Sequence, residues 1–239
     1  MLEICCFNVL SALIAQHAGA GRVELCADAA VGGTTPSFGV IKTVREKLHI
    51  PLYPIIRPRG GDFLFSAEEF EAMMNDIVLC KQIGCDGVVI GILAPNGMID
   101  KKSCSRLIQL AYPMGVTFHR AFDRAVDPQQ SLEDIIDMGC ERILTSGQQP
   151  TAIQGAALIR ELITQADGRI IIMPGSGVRS ANIRELAAQT TASEFHSSAR
   201  MDIPSPMQFT NEQMHEALTA TIPDENEIKA IIQTLAAGS

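Results

Sequence analysis

Eight short runs of residues with high strand propensity recur along the chain, and each is followed by a stretch with helical periodicity. The distance between successive starts ranges from 20 residues (Leu2 to Arg22) to 34 residues (Leu52 to Asp86), which is room for one strand, one helix and two loops. The runs begin near Leu2, Arg22, Leu52, Asp86, Val116, Arg142, Ile170 and Ser193. Alternating strands and helices predict right-handed crossovers and a parallel sheet. Eight such units in 239 residues predict an α/β fold, a single (β/α)8 TIM barrel. An open doubly wound sheet is the alternative, but no GxGxxG follows the first run.

Helix boundaries between these runs are marked by capping residues. Ser66 and Glu69 have the spacing of a capping box, and apolar residues follow them at helical intervals. Asp127 stands before Pro128, which suits an N-cap followed by the first helical position. Both patterns predict helices that pack on the outside of the barrel.

The domain organisation follows from the absence of a linker. No Pro/Gly/Ser-rich stretch divides the chain, so residues 1–239 are predicted to form one TIM-barrel domain. A last apolar repeat from Ile228 predicts the eighth helix. A long irregular loop is expected at 204–223 before it, and loops of that length in compact domains usually have a function or move.

Composition and charge exclude several classes of partner. The chain is 46% hydrophobic and 19% charged, as in globular proteins, and its net charge is -8. Nucleic acid and anionic membrane surfaces are not expected as partners, because both require a basic stripe. No stretch approaches the roughly 20 apolar residues that cross a bilayer, and Glu3 and Asn8 interrupt the apolar N-terminus. Seven cysteines without a CxxC pair predict reduced thiols and a cytoplasmic location.

Polar and charged side chains follow most of the predicted strands at their carboxyl ends. In a TIM barrel these strand ends and the loops after them form the active face. Charged residues are seldom fully buried without a partner, so this clustering predicts a polar pocket in the barrel mouth. The clustered residues are Glu24, Cys26, Arg57, Arg59, His119, Arg120, Asp123, Thr145, Ser146, Gly175, Ser176, Gly177, His196, Ser197 and Ser198.

Strand alternation assigns some of these residues to faces. Glu24 and Cys26 share one face of the second strand, and Cys5 shares a face of the first strand with Glu3. If these faces point inward, Cys5 and Cys26 lie side by side on adjacent strands. Two interpretations of Glu24 stay open: a structural ion pair with Arg57, or a catalytic role.

Two histidines and two small-residue loops indicate chemistry at this mouth. His119 and His196 lie at strand ends, and histidine is a common metal ligand and general acid or base. The candidate catalytic residues are Glu24, Arg57, His119 and His196. The Gly-Ser-Gly loop and the later His-Ser-Ser match the place where barrels hold phosphate, although glycines also serve tight turns. The candidate substrate-binding residues are Arg59, Arg120, Asp123, Ser146, Gly175, Gly177, Ser197 and Ser198.

Eight segments of the sequence resemble motifs of the CutC family, and they occur in the family's order from residue 2 to about 200. They are EICCFN at 3–8, RVELC at 22–26, GGTTPS at 32–37, PIIRPRGGDF at 54–63, VTFHRAFD at 116–123, RILTSGQ at 142–148, GSGV at 175–178 and FHSSA at 195–199. The resemblance implies a cytoplasmic (β/α)8 barrel that binds copper and acts in copper homeostasis. It also implies Cu(I) as the metal and Cys5 and Cys26 as its ligands.

Two function hypotheses follow, and the sequence does not decide between them. In the first, Cys5 and Cys26 bind Cu(I), which soft thiolates suit; sulfurs that share one ion lie roughly 4–5 Å apart, twice a bond of about 2.3 Å. In the second, the chain is a barrel enzyme of isomerase or lyase type acting on a small phosphorylated or carboxylated metabolite. Arg57 and Arg59 would then clamp the anion. Whether the chain is an enzyme, and whether it is a monomer or a homo-oligomer, stays open.

Overall fold

A computed structural model of the protein describes residues 1–215 and 218–237, and a ring of eight strands forms its centre. All neighbouring strands paired within the ring are parallel. The strands are β1 (Leu2–Cys6), β2 (Arg22–Leu25), β3 (Leu52–Pro54), β4 (Gly87–Ile90), β5 (Gly115–Phe118), β6 (Arg142–Thr145), β7 (Ile171–Pro174) and β8 (Phe195–Ser197). Each lies within two residues of its predicted start, because a buried strand is specified by its own apolar and β-branched run.

Helices alternate with these strands and cover the outside of the ring. They are α1 (Val9–His17), α2 (Phe38–Lys47), α3 (Ala67–Ile83), α4 (Lys101–Ala111), α5 (Pro128–Met138), α6 (Ala156–Ala166), α7 (Ile183–Thr190) and α8 (Glu225–Ala236). The predicted capping box is present: the Ser66 hydroxyl accepts from the Glu69 N–H, and the Glu69 carboxylate accepts from the Ser66 N–H. At α5 the Asp127 carboxylate accepts from the Gln130 N–H, and Pro128 follows at the first helical position. Within the described residues, no helix is both long enough and apolar enough to span a membrane.

The ring closes through two four-stranded sheets. One has the order β3-β2-β1-β8 and the other the order β4-β5-β6-β7. A parallel bridge between Ile55 and Val89 joins the sheets beyond β3, and β7 packs against β8 on the opposite side. This closure excludes the open doubly wound sheet, so the predicted (β/α)8 TIM barrel is confirmed.

The chain after β8 differs from the irregular loop predicted over 204–223. Strand β9 (Arg200–Pro204) pairs antiparallel with β10 (Thr219–Pro223), so the ends of the predicted loop form a hairpin stem, while 205–215 contains only a short 3-10 turn at Glu212–Met214. Residues 216–217 lie outside the described residues. The pairing was not evident from the sequence because each strand is short and is stabilised by a partner far along the chain.

Buried residues form two layers. The larger layer lies between the strands and the helices. The smaller one lies inside the barrel and consists of Cys5, Cys26, Tyr53, Ile55 and Val89. The predicted inward faces of β1 and β2 are therefore confirmed, and the thiols reach the mouth end of the interior.

Candidate functional site

The carboxyl ends of the strands surround a cavity of about 320 Å³. Its volume lies in the range of about 300–1,000 Å³ that small-molecule sites occupy. The predicted site residues that line it are Cys5, Glu24, Arg57, His119, Arg120, Gly177, His196, Ser197 and Ser198. Both histidines therefore open on the same end of the barrel, as the positions of their strands predicted.

The two thiols meet at the bottom of this cavity. Cys5 Sγ lies 3.6 Å from Cys26 Sγ, and Cys5 is in register with Glu24 on the adjacent strand. One ligand atom each from Cys5, Glu24 and Cys26 lies within 4.8 Å of the others. The sulfurs are closer than the roughly 4–5 Å expected for two sulfurs around one metal ion, because here they share a hydrogen bond. Cys5 lines the cavity, but Cys26 does not. The Cys26 sulfur lies close to the backbone at Gly33, where an added Cβ would be 3.2 Å from Sγ.

The surroundings of the thiol pair favour one thiolate. The hydrogen bond from Cys26 lowers the pKa of Cys5 to about 6 in spite of burial, with further help from His196. That same hydrogen bond, together with burial, raises the pKa of Cys26. Burial and the charge on Cys5 raise the pKa of Glu24 well above its usual value. The cluster therefore favours a thiolate on Cys5 beside a protonated thiol and a protonated carboxyl group.

His196 connects the thiol pair to a buried carboxylate. Its Nδ1 lies 2.7 Å from Glu3 Oε1, and its Nε2 lies 3.7 Å from Glu24 Oε2. Burial opposes ionisation of Glu3, yet the hydrogen bond with His196 and the charge of Arg22 lower its pKa to about 2. Burial likewise opposes the charged form of His196, but its hydrogen bonds with Cys5 and Glu3 raise its pKa well above the usual value. An ionised Glu3 thus stabilises an imidazolium beside the Cys5 thiolate.

His119 lies in the wall of the cavity with one ring nitrogen unpaired. Its Nδ1 accepts a hydrogen bond from the Ala121 N–H, at 3.2 Å, so Nε2 carries the proton. Nε2 is buried and has no acceptor among the described residues. Burial, reinforced by the charge of Arg57, lowers the pKa of His119 to about 3. The ring is therefore neutral and presents an unused donor.

Arg57 does not form the expected ion pair with Glu24. Its guanidinium donates instead to the carbonyls of Val31, Gly33 and Gly61, each at 2.9 Å, and Glu24 lies beside His196. Arg57 thus joins the loops after β2 and β3. Its Nε is buried without an acceptor among the described residues, and no carboxylate there pairs with it.

The expected clamp of Arg57 and Arg59 is not formed either. The Arg59 guanidinium turns away to Asp62, at 3.0 Å, and to Glu69, at 2.6 Å. The side chain does not line the cavity, and it is 40% exposed. The same Glu69 that caps α3 therefore holds Arg59 in place.

Asp123 and Ser146 lie behind the cavity wall and position Arg120. Asp123 accepts from the Arg120 Nε, at 2.7 Å, and from the Thr145 hydroxyl, at 2.5 Å. The Arg120 Nη2 also donates to the Ser146 hydroxyl at 2.8 Å. Of these residues only Arg120 lines the cavity, so the other predicted binding residues here have supporting contacts.

The loops after β7 and β8 form the remaining wall. Gly175 does not line the cavity; a Cβ there would come within 2.4 Å of Leu144, so the glycine is required by packing. Ser176 and Gly177 line it in the left-handed backbone region, with φ of 82° and 70°. The Ser197 hydroxyl donates to the Val178 carbonyl at 2.7 Å and ties the two loops together.

Sequence reasoning missed four residues of this site. Glu3 was predicted to share a face with Cys5 but was not assigned to the site, and it stands opposite Arg22 in register. The Phe63 ring packs against His119 at a tilt of 48°, with ring centroids 4.9 Å apart. Arg179 and Arg200 also line the cavity. For Arg179 and Arg200, the signal available in the sequence was their position just after the Gly-Ser-Gly and His-Ser-Ser motifs.

Comparisons with known proteins agree with this architecture. The sequence model of the CutC family matches residues 1–201. A CutC family protein of Chromobacterium violaceum is 52% identical over 209 residues, which are 87% of this chain and 85% of the relative. A mouse copper homeostasis protein cutC homolog is 43% identical over 238 residues, 97% of this chain and 88% of the relative.

Solved structures show the same fold. A CutC crystal structure from Streptococcus agalactiae is 34% identical and has a TM-score of 0.80, covering 83% of this chain and 98% of that one. Phosphoribosyl anthranilate isomerase from Thermotoga maritima is 14% identical with a TM-score of 0.61, covering 99% and 98%, and shows likeness of fold alone. The family match and the identity with full-length relatives establish that this chain belongs to the CutC family.

Proposed function

We propose that this protein binds Cu(I) in the cytoplasm through Cys5 and Cys26 and acts in copper homeostasis. The observation that carries the proposal is the 3.6 Å separation of the two sulfurs on adjacent strands. Thiolates are the ligands that select Cu(I), and the low pKa of Cys5, about 6, favours that form near neutral pH. The name of the mouse relative, a copper homeostasis protein homolog, supports it too.

The donor set fits a soft monovalent ion better than a hard divalent one. Two sulfurs and one carboxyl group converge within 4.8 Å, and burial favours the neutral form of the Glu24 carboxyl. A hard cation would require several ionised oxygens. The thiol pair would supply the ligands, and Glu24 would remain beside them as a neutral neighbour.

The test is a Cys5→Ser, Cys26→Ser double variant, measured by competition with a Cu(I)-specific chelator under anaerobic conditions. The wild type should bind one Cu(I) per chain, and the double variant should lose this stoichiometric binding. The matched control is Cys80→Ser, Cys85→Ser, because those thiols also hydrogen-bond to each other but lie in the outer layer of the core. The control should bind Cu(I) like the wild type.

The outcome against the proposal is unchanged Cu(I) affinity in the Cys5, Cys26 variant when its far-UV circular dichroism matches that of the wild type. Should the double variant not fold, the single Cys5→Ser variant provides the same comparison. Cys5 faces the cavity and serine is smaller than cysteine, so this single change disturbs the packing less than the double change does.

A second candidate function is a barrel enzyme of isomerase or lyase type acting on a small anionic metabolite. The observation that favours it is the pair of buried, unpaired donors, His119 Nε2 and Arg57 Nε, in residues that line one cavity. Buried polar atoms without partners are rare and need a reason such as a ligand. Glu24 and His196 lie 3.7 Å apart at the bottom and would exchange protons with a substrate.

The enzyme proposal predicts stabilisation of the fold by anionic metabolites. A panel of phosphorylated and carboxylated compounds should contain at least one that raises the melting temperature of the wild type at constant ionic strength. The variant His119→Asn keeps an acceptor for the Ala121 N–H but removes the Nε2 donor, so it should lose most of that shift. A panel that leaves the wild-type melting temperature unchanged removes the main support for this candidate.

A further inference from the structure

We propose that the loops after β7 and β8 form a binding site for a phosphate monoester, built from the backbone N–H groups of Gly177, Val178 and Ser198 with Arg179 and Arg200. All five residues line the same cavity. The inference names the substrate class of the second candidate function and depends on it for biological meaning. It is independent of the copper proposal, because the site lies on loops that do not include the thiol pair.

The first argument is the hydrogen-bonding capacity of these backbone groups. In the described part of the chain, the N–H groups of Gly177, Val178 and Ser198 have no acceptor, although the neighbouring N–H groups of Arg179 and Ala199 bind side chains. Backbone N–H groups in folded proteins are almost always paired, with the protein, with water or with a ligand. Val178 is buried, Ser198 is half-buried and Gly177 is exposed, so these three donors on two loops are open to water or to a ligand in the cavity.

The second argument is the backbone conformation that aims these donors. Ser176 has φ 82° and Gly177 has φ 70°, and Ala199 in the next loop has φ 43°. Positive φ is costly at residues other than glycine and persists where the surrounding structure enforces it. Successive N–H groups in such turns point to one side and form anion-binding concavities.

The third argument is charge. Arg179 and Arg200 have no carboxylate within ion-pair distance among the described residues; the Arg179 Nη2 donates to the Arg200 carbonyl at 3.1 Å. The whole chain carries a net charge of -8, yet these two arginines have no ion-pair partner in the described residues, whereas Arg120 in the same cavity pairs with Asp123. A local positive field on an acidic protein favours a small anion.

The fourth argument is an independent pair of buried donors across the same cavity. His119 Nε2 and Arg57 Nε have no acceptors within residues 1–215 and 218–237, and both residues are at least 96% buried. These two side-chain atoms and the three loop N–H groups are all hydrogen-bond donors. Donors of this kind match a ligand that offers acceptor oxygens in more than one direction.

A phosphate group fits this set better than a carboxylate. A phosphate monoester presents three terminal oxygens in a tetrahedral arrangement, whereas a carboxylate has two in one plane. Three N–H groups and two guanidinium groups exceed what a single carboxylate can accept in one plane. A monoester also has an organic part, which would extend from the loops towards Glu24 and Cys5 in the cavity of about 320 Å³.

The experiment is a titration of uniformly ¹⁵N-labelled protein followed by amide shifts at constant ionic strength. The probes are inorganic phosphate, glycerol 3-phosphate and acetate. We expect saturable shifts of the Gly177, Val178 and Ser198 amides with both phosphates, tighter binding of glycerol 3-phosphate, and no saturable shift with acetate. Amides that do not respond to either phosphate, or that respond equally to acetate, would overturn the proposal.

Charge variants provide a second measurement. Arg200→Gln removes an exposed cationic side chain of the site and should weaken phosphate binding about tenfold. The control is Arg184→Gln, because Arg184 is exposed on α7 and does not line the cavity. Equal weakening by both changes would mean a general charge effect and would contradict the proposal.

The copper proposal and the phosphate proposal can each be refuted without affecting the other. The Cys5→Ser, Cys26→Ser variant should keep its affinity for inorganic phosphate, and Arg200→Gln should keep its Cu(I) stoichiometry. Phosphate binding without Cu(I) binding would leave the site assigned here intact and refute the copper proposal. Cu(I) binding without any phosphate response would refute the phosphate site and leave the copper proposal intact.

Discussion

His119 is a buried histidine that the fold keeps neutral, and its ionisation couples stability to pH. Burial, with the charge of Arg57, lowers its pKa from the ordinary 6.5 to about 3. Between these values the unfolded chain binds a proton on His119 and the folded chain does not. Stability therefore falls as pH decreases from about 6.5 towards 3, and it is insensitive to this group above pH 7.

We expect His119 to lower the free energy of unfolding by about 2 kcal/mol at pH 5 relative to pH 7, since each pKa unit is worth about 1.4 kcal/mol. The measurement is urea unfolding of the wild type and of His119→Asn at both pH values. Other groups titrate equally in the two proteins, so the difference between their pH dependences isolates His119. An identical pH dependence in the two proteins would contradict a neutral, buried ring.

At the scale of single residues, the sequence predicted which strand side chains face the barrel interior better than it predicted their ion-pair partners. Alternation placed Cys5 and Cys26 on inward faces of adjacent strands, because the direction of a side chain follows from strand geometry alone. The expected partner of Arg57 was wrong, since Glu24 is held by His196 while loop carbonyls satisfy Arg57. Partner choice depends on loop paths that alternation does not specify.

At the scale of elements, β4 and β5 begin with glycines that make room for Tyr53. Gly87 and Gly115 are in register, and Tyr53 from β3 lies over both positions. A Cβ at Gly87 would come within 2.1 Å of the Tyr53 ring. The ring cannot move away freely, because it is buried and its hydroxyl donates to Glu141 at 2.6 Å.

We expect Gly87→Ala to lower the free energy of unfolding by about 1–3 kcal/mol, the usual cost of overpacking a core. In a Tyr53→Leu background the same change should cost markedly less, because the smaller side chain leaves space. A double-mutant cycle by urea unfolding measures this coupling. Equal costs in both backgrounds would show that Tyr53 is not the reason for the glycine.

Elements differ in how far they could be predicted. The strands of the barrel and the cap of α3 are specified by their own residues, so their positions were predicted to within two residues. The pairing of β9 with β10 at the ends of the loop expected over 204–223 was not predicted, because these strands are mostly exposed and lack the apolar pattern of a buried strand. The stability of this hairpin comes from pairing across it, and the sequence of either strand alone does not indicate it.

For the whole molecule, a buried ionic network joins the two four-stranded sheets at the amino end of the barrel. Glu194, which precedes β8, accepts from Arg22 at 2.7 Å and from Arg142 at 3.1 Å. Arg22 belongs to one sheet and Arg142 to the other. Arg22 also binds Glu3, the residue that holds His196 at the mouth. The same charges therefore couple barrel closure to the candidate site.

Glu194 is only 13% exposed, and removing it takes one carboxylate from each of two buried arginines, which keep Glu3 and Glu141 as their remaining partners. We expect Glu194→Ala to lower the free energy of unfolding by about 1.5–3 kcal/mol, the value of a hydrogen bond to a charged group, because both arginines keep one carboxylate. The exposed Glu161 on α6 provides the control, and Glu161→Ala should change stability by less than about 0.5 kcal/mol.

If the chain is one domain, far-UV circular dichroism and hydrogen exchange at Ile4 and Ile143, one in each sheet, should report the same loss of stability in Glu194→Ala. Loss of protection at only one of these amides would mean that the sheets unfold separately and would contradict a single cooperative barrel.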